Sequence, residues 1–170
     1  MKKVYISGFD VFHKEAFFIY KQQIELLKKY GYIPLHPFDN ETTNDVLNEV
    51  FISNIVKNNL KMIQNCDIII ANLNSYRGAE PDSGTIFEIG YGYALNKKIV
   101  GYKETLRSYE DEYISKMNIN IYEEEDILYD NNNYLLNTYS KNFNIMIEKT
   151  VDIVEGDFLK AVEYLKKEYK

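Results

Sequence analysis

The run Cys66-Asp-Ile-Ile-Ile-Ala-Asn-Leu73 constrains the fold more than any other segment of the chain. Its apolar residues do not alternate with polar ones, so it lacks the wet face of a strand in a one-sided antiparallel sheet. A run of this kind is buried on both faces, the environment of a strand inside a parallel sheet. The neighbouring segments agree. Lys3-Val-Tyr-Ile-Ser7 is a short β-rich run that ends at Gly8, and a helical pattern follows from about His13 to Tyr30, with Phe17, Ile24 and Leu27 among its apolar positions. Gly31 closes that helix, and Tyr32-Ile-Pro-Leu-His36 reads as a second strand, placed by Pro34 at a sheet edge or strand end. A polar linker, Asp39 to Asn44, leads to a second helix through Val50, Ile55, Leu60 and Ile63. After the 66–73 run come a glycine-bearing helix and a fourth strand, Lys98-Ile-Val-Gly-Tyr102.

Strands that alternate with helices predict an α/β domain with a parallel sheet and right-handed crossovers. At 170 residues the chain fits one domain, residues 1–170, large enough for a substantial core. From Lys103 to Lys141 the pattern weakens; Glu123-Glu-Glu-Asp126 and Asp130-Asn-Asn-Asn133 read as solvated surface or a mobile loop. Order returns near Phe143-Asn-Ile-Met-Ile147, and Gly156 to Tyr169 reads as a closing amphipathic helix with Phe158, Val162 and Leu165 inside. In open parallel sheets ligands bind at the carboxyl ends of the strands. The Ser7–Phe12 loop, the loop after Leu73 and the start of the glycine-bearing helix are expected to meet there.

That helix is either a plain capped amphipathic helix or the carrier of the chemistry. Within Glu80-Pro-Asp-Ser-Gly-Thr-Ile-Phe-Glu-Ile-Gly-Tyr-Gly-Tyr-Ala94, Gly84, Gly90 and Gly92 each cost about 1 kcal/mol relative to alanine in a helix interior. Glu88 shares a face with Gly84, Thr85, Tyr91 and Gly92, so its carboxylate is expected to project into uncrowded space that suits a small ligand. Asp82 and Ser83 stand where the helix begins, and both residue types cap helix starts.

Composition excludes several classes of function. A net charge of −6 opposes a surface that holds a phosphate backbone, which needs clustered Lys and Arg, so nucleic acid is not an expected partner. Cys66 is the only cysteine, which rules out an intrachain disulfide and a zinc site of several thiolates. His13 and His36 lack metal-ligand spacing, and no metal or other cofactor is expected. The start Met1-Lys-Lys-Val-Tyr-Ile-Ser7 has too short an apolar run before Gly8 and Asp10 to read as a signal peptide, and nowhere do about eighteen apolar residues follow one another, so a cytoplasmic protein without a membrane partner is expected.

Tyr5-Ile-Ser-Gly-Phe-Asp-Val-Phe12, Asn59 before Asp67-Ile-Ile-Ile-Ala-Asn-Leu73, Arg77-Gly-Ala-Glu-Pro-Asp-Ser-Gly-Thr-Ile-Phe-Glu-Ile-Gly90 and Asn144 before Met146 together resemble the nucleoside 2-deoxyribosyltransferases. The most specific element is the Asp82-to-Glu88 spacing of six within a glycine-rich helix start. The resemblance implies a flavodoxin-like fold, a parallel sheet of about five strands with flanking helices, and transfer of 2-deoxyribose between nucleobases. It implies Glu88 as nucleophile, Tyr5 as its hydrogen-bond partner and Asp82 as the ligand of the sugar 5′-hydroxyl. Gly8, Phe9, Asp10, Ser83, Gly84 and Asn59 complete the expected substrate contacts. Asn144 is implied to reach a neighbouring subunit's site, which makes the protein a homo-oligomer, with 2′-deoxynucleosides and free nucleobases as its small-molecule partners.

Elementary chemistry agrees, because a carboxylate beneath an anomeric carbon can stabilise an oxocarbenium-like charge or trap it as an ester. One position departs from the best-studied pattern: Asn59 stands where those enzymes carry an aspartate that contacts the base. An amide hydrogen-bonds a base edge but passes on no proton. Asp10 is a candidate substitute, or else a loop residue or helix cap. Arg77 could touch a ligand, but reads rather as a brace for its loop. Three alternatives remain at this stage. Water could replace the acceptor base, giving a deoxynucleoside hydrolase. A hydrolase of deoxynucleoside 5′-monophosphates is disfavoured by Asp82, whose charge repels a phosphate. A non-catalytic nucleoside-binding protein would not need Glu88.

Overall fold

A computed structural model describes residues 1–37, 49–136 and 141–169. The linker expected at 39–44 lies outside the described residues. The chain opens with β1 (Lys3–Ser7), a short 3-10 turn (Phe9–Phe12), α1 (Ala16–Lys29) and β2 (Ile33–Leu35). It continues with α2 (Glu49–Asn65), β3 (Ile68–Asn72), α3 (Ser83–Ala94), β4 (Lys98–Lys103) and α4 (Tyr109–Met117). A hairpin of β5 (Ile121–Glu124) and β6 (Ile127–Asp130) precedes α5 (Ile145–Thr150), β7 (Asp152–Glu155) and α6 (Phe158–Glu168).

The main sheet has five strands in the order β2-β1-β3-β4-β7, and every pairing is parallel. Counted along the sheet alone this is the 2-1-3-4-5 order of flavodoxin-like proteins. Every residue of β3 is buried, as its sequence demands. Its side chains divide by the period of two: Ile68 and Ile70 join Val4, Ile6, Leu27, Val162 and Leu165 under α1 and α6, whereas Ile69 and Ala71 join Tyr5, Ile63, Ile89 and Phe143 under α2, α3 and α5. Pro34 lies in β2, an edge strand, where a missing N–H breaks no ladder.

Three segments differ from the sequence expectation. The 123–126 and 130–133 runs, expected as solvated surface or a mobile loop, are exposed except for Asp130, but they belong to an antiparallel hairpin rather than a loop. Its turn holds Glu125 and Asp126 at φ of 51° and 62°. Such a turn usually announces itself by Asn-Gly or Asp-Gly, and Glu-Asp gives no such sign. The fifth strand of the sheet, β7, is only four residues long and carries no apolar run to mark it. The helix expected from His13 starts later, with Ala16, because the loop first makes its own 3-10 turn.

Candidate active site

Tyr5 and Ser7 are two residues apart on β1, so both point to the α2–α3 side of the sheet. Glu88 meets them from α3. The Tyr5 hydroxyl donates to Glu88 Oε1 at 2.6 Å and the Ser7 hydroxyl donates to Oε2 at 2.5 Å. Each carboxylate oxygen therefore has one donor, and both donors are buried to within 1% of full enclosure. Burial pushes the Glu88 carboxyl above the usual carboxylate range and the nearby Asp82 adds to this, while the bonds from Ser7 and Tyr5 pull it back. Burial, and then the adjacent Glu88 charge, hold the Tyr5 phenol far above its ordinary value, which keeps it a neutral donor.

The carboxylate borders a cavity of about 340 Å³ lined by Gly8, Val11 and Phe12 of the first loop, Pro37, Ile55 and Asn59 of α2, and Asp82, Gly84, Thr85 and Glu88. Ile55 and Asn59 are four apart and so share one helix face. Asp82 caps α3: its Oδ2 accepts from the Thr85 N–H at 3.0 Å and from the Thr85 hydroxyl at 3.3 Å. Asn59 Oδ1 is buried with no hydrogen-bond partner among the described residues. Such an orphan costs about 1–3 kcal/mol, and a ligand's N–H in the cavity would relieve it.

The helical glycines have separate purposes. Gly84 borders the cavity, with Asp82 Oδ2 only 3.0 Å from where a Cβ would stand. Gly92 instead brings α3 close to the sheet, since a Cβ there would strike Ile69 Cδ1. Gly90 faces open space. The expectation that Glu88 is flanked by open space on both sides therefore holds only toward Gly84; toward the C-terminus Tyr91 accepts a bond from Gln64 Nε2 at 2.6 Å.

The structure places the other expected residues as follows. Asp10 does not line the cavity; its carboxylate accepts from Asn72 Nδ2 at 3.2 Å and Gln23 Nε2 at 3.3 Å, which ties the first loop to β3 and α1. Phe9 also lies off the cavity wall and stacks on Tyr76 at 4.9 Å, and Phe12 stacks on the same ring at 5.8 Å. The Arg77 guanidinium sits 5.0 Å from the ring of its neighbour Tyr76 and does not line the cavity. Ser83 begins α3 without lining the cavity. Asn144 is exposed and caps α5, its Oδ1 accepting from the Met146 N–H at 3.0 Å. Sequence reasoning missed Ser7, for which the position two after Tyr5 on one strand was the available signal, and the cavity-wall residues Pro37 and Ile55.

The loop that delivers Asp82 is held from behind. Ser75 donates to Glu112 of α4, and Lys103 of β4 pairs with that same carboxylate at 3.2 Å in a buried contact. Burial alone would raise the Glu112 carboxyl, but the Ser75 bond and the Lys103 charge bring it below its ordinary range. No group of His, Cys, Asp and Glu able to hold a metal ion occurs among the described residues.

Comparison with known proteins decides the family. The sequence profile described as nucleoside 2-deoxyribosyltransferase matches residues 4–146. The chain belongs to that family. Its fold is also that of a 2-desoxiribosyltransferase from Leishmania mexicana, with a TM-score of 0.76, 30% identity and full coverage of both chains. A 2-deoxyribosyltransferase from Bacillus psychrosaccharolyticus is 22% identical at a TM-score of 0.52, covering 61% of this chain and 73% of that one. A conserved protein from Enterococcus faecalis V583 aligns over 96% and 98% of the two chains, at 16% identity and a TM-score of 0.58. The last two likenesses concern the fold alone. A search of curated proteins finds no match. As a member of the nucleoside 2-deoxyribosyltransferase family the chain is an enzyme, and its reaction is deoxyribosyl transfer or related cleavage of N-glycosidic bonds.

Proposed function

We propose that this enzyme moves 2-deoxyribose from one nucleobase to another on unphosphorylated 2′-deoxynucleosides, with Glu88 as a covalent nucleophile. The observation that carries the reading is the Glu88 carboxylate at the cavity wall, clamped on both oxygens and sharing the cavity with Asp82. A Glu88 oxygen bonds C1′ as the C1′–N bond breaks, and the bonding pair leaves with the base, which takes a proton from solvent. A nitrogen of the acceptor base then bonds C1′, the ester C1′–O bond breaks, the Glu88 carboxylate returns and the acceptor loses its proton to solvent. Two inversions give retention, in a ping-pong cycle.

Asp82 is assigned to the sugar 5′-hydroxyl, and its charge disfavours a 5′-phosphate. Asn59, with an orphaned acceptor at the cavity wall, is assigned to the base edge. Gly8 and Gly84 line the space for the sugar, while Phe9 and Asp10 support the first loop from outside it. Asn144 is assigned to a neighbouring subunit's site, since it is exposed and away from its own cavity. Exposed Ile52, Val56, Phe87 and Met146 offer apolar surface for such an assembly. A cytoplasmic role in nucleotide salvage fits this exchange chemistry, and no helix among the described residues is long and apolar enough to cross a membrane.

The test is to incubate the enzyme with 2′-deoxyinosine and either free adenine or free cytosine and to analyse the nucleoside products. New deoxyadenosine or deoxycytidine supports transfer. Free 2-deoxyribose and hypoxanthine alone would replace it with hydrolysis, and deoxyinosine left intact would remove both.

A further inference from the structure

We propose that Ser7 is a positioning residue that sets the charge state of Glu88 and the speed at which its deoxyribosyl ester breaks down. The inference rests on the reading of Glu88 as a covalent nucleophile. Ser7 ends β1, in register with Ala71 of β3, and its hydroxyl is enclosed. Its bond to Glu88 Oε2 therefore has little water to compete with it, and it holds the oxygen that Tyr5 does not. The paired donors fix the plane of the carboxylate.

The chemistry of the cycle makes the second donor consequential. A carboxylate accepts much stronger hydrogen bonds than a neutral ester. When Glu88 bonds C1′ its negative charge disappears, and both donors then face a weaker acceptor. When the ester breaks the charge returns, and both donors strengthen their hold on the leaving carboxylate. Ser7 thus favours the ionised free enzyme and speeds release of the sugar to the acceptor. Loss of its hydroxyl removes one of the two bonds that offset the burial of Glu88.

Among the described residues few other groups compete for control of this carboxylate. Tyr5 faces it from β1 and Asp82 from the start of α3, while α2 contributes the neutral Asn59. The first loop lends Gly8, Val11 and Phe12 to the cavity, and among the described residues no lysine or arginine lines it. Behind Tyr5, burial pushes the Cys66 thiol up to about 11, so it stays neutral.

The experiment compares wild type, Ser7→Ala, Ser7→Cys and Glu88→Ala by the pH profile of kcat/KM and by intact-mass measurement of the ester formed from 2′-deoxyinosine without acceptor base. In Ser7→Ala the acid limb is expected to move up by about one pH unit, and ester breakdown on adding adenine to slow roughly ten- to a hundredfold, as loss of a hydrogen bond to a charged group implies. Ser7→Cys, with a weaker donor, is expected to fall between. An acid limb and a breakdown rate unchanged in Ser7→Ala, with ester still formed by wild type, would overturn the role of Ser7 alone. Activity retained by Glu88→Ala, or no ester in wild type, would instead overturn the nucleophile reading on which it rests. If Ser7→Ala fails to fold, Ser7→Cys decides by the same two measurements.

Discussion

Asp82 is asked to cap a helix and to bind substrate, and two substitutions separate the tasks. Its Oδ2 accepts from the Thr85 N–H at 3.0 Å, which satisfies one of the free donors at the start of α3. Asp82→Asn keeps a side-chain oxygen for this bond and removes the charge. Asp82→Ala removes both, and loss of a cap costs about 1 kcal/mol, within a range of roughly 0.5–2. For a chain of 170 residues each kcal/mol corresponds to about 2–4 °C in Tm. Thermal unfolding is therefore expected to drop by a few degrees for Asp82→Ala and far less for Asp82→Asn. Kinetics should sort differently. Both variants lose the carboxylate proposed to hold the 5′-hydroxyl, so KM should rise and kcat should fall, because binding at that end positions C1′ over Glu88. Both should also admit some deoxynucleoside 5′-monophosphate: two unit charges about 4 Å apart repel by about 4 kcal/mol at the effective dielectric of a protein surface. Steady-state assays on deoxyinosine and its 5′-monophosphate, beside calorimetry, read all of this. Wild-type kinetics in Asp82→Asn with a normal preference for the nucleoside would refute the substrate role and leave only the cap.

Three further outcomes are expected. Burial raises the Glu88 carboxyl and the nucleophile must be ionised, so activity should fall on acidification through a value above the usual carboxylate range; an acid limb at or below that range would contradict the desolvated site. Asn59→Asp supplies a group that can protonate a departing base, so the pH profile and the ratio of purine to pyrimidine transfer should both change, and if neither does, position 59 does not touch the base. Mixing inactive Glu88→Ala with inactive Asn144→Ala protein should restore part of the activity if sites are completed between subunits, whereas an active monomer by sedimentation would refute the shared site.

Much of the fold and of the site is legible in the sequence. The 66–73 run sits inside the sheet because its residues leave no wet face, and Pro34 fell on an edge because it has no donor to give. The Glu88 helix was readable from the cap at Asp82 and the glycines, but one-dimensional spacing could not tell the glycine that borders a cavity, Gly84, from the one that packs on a strand, Gly92. Ser7 carries no mark in the sequence, because a serine at a strand end has many ordinary uses and only the approach of α3 gives it a partner. The loop position of Asp10 points toward the cavity, but its side chain turns to Asn72 and Gln23, polar groups on two other elements. The 121–130 hairpin and β7 lacked strong local signals and take their form from contacts distant in sequence.

The most direct measurement is peptide mapping of the enzyme quenched in acid after exposure to 2′-deoxyinosine with no acceptor base. The expected result is hypoxanthine released in a burst stoichiometric with enzyme, and one deoxyribosyl unit on the peptide that contains Glu88, lost again when adenine is added before the quench. Product formation with no adduct on any peptide, or an adduct on another residue, would contradict Glu88 as the nucleophile.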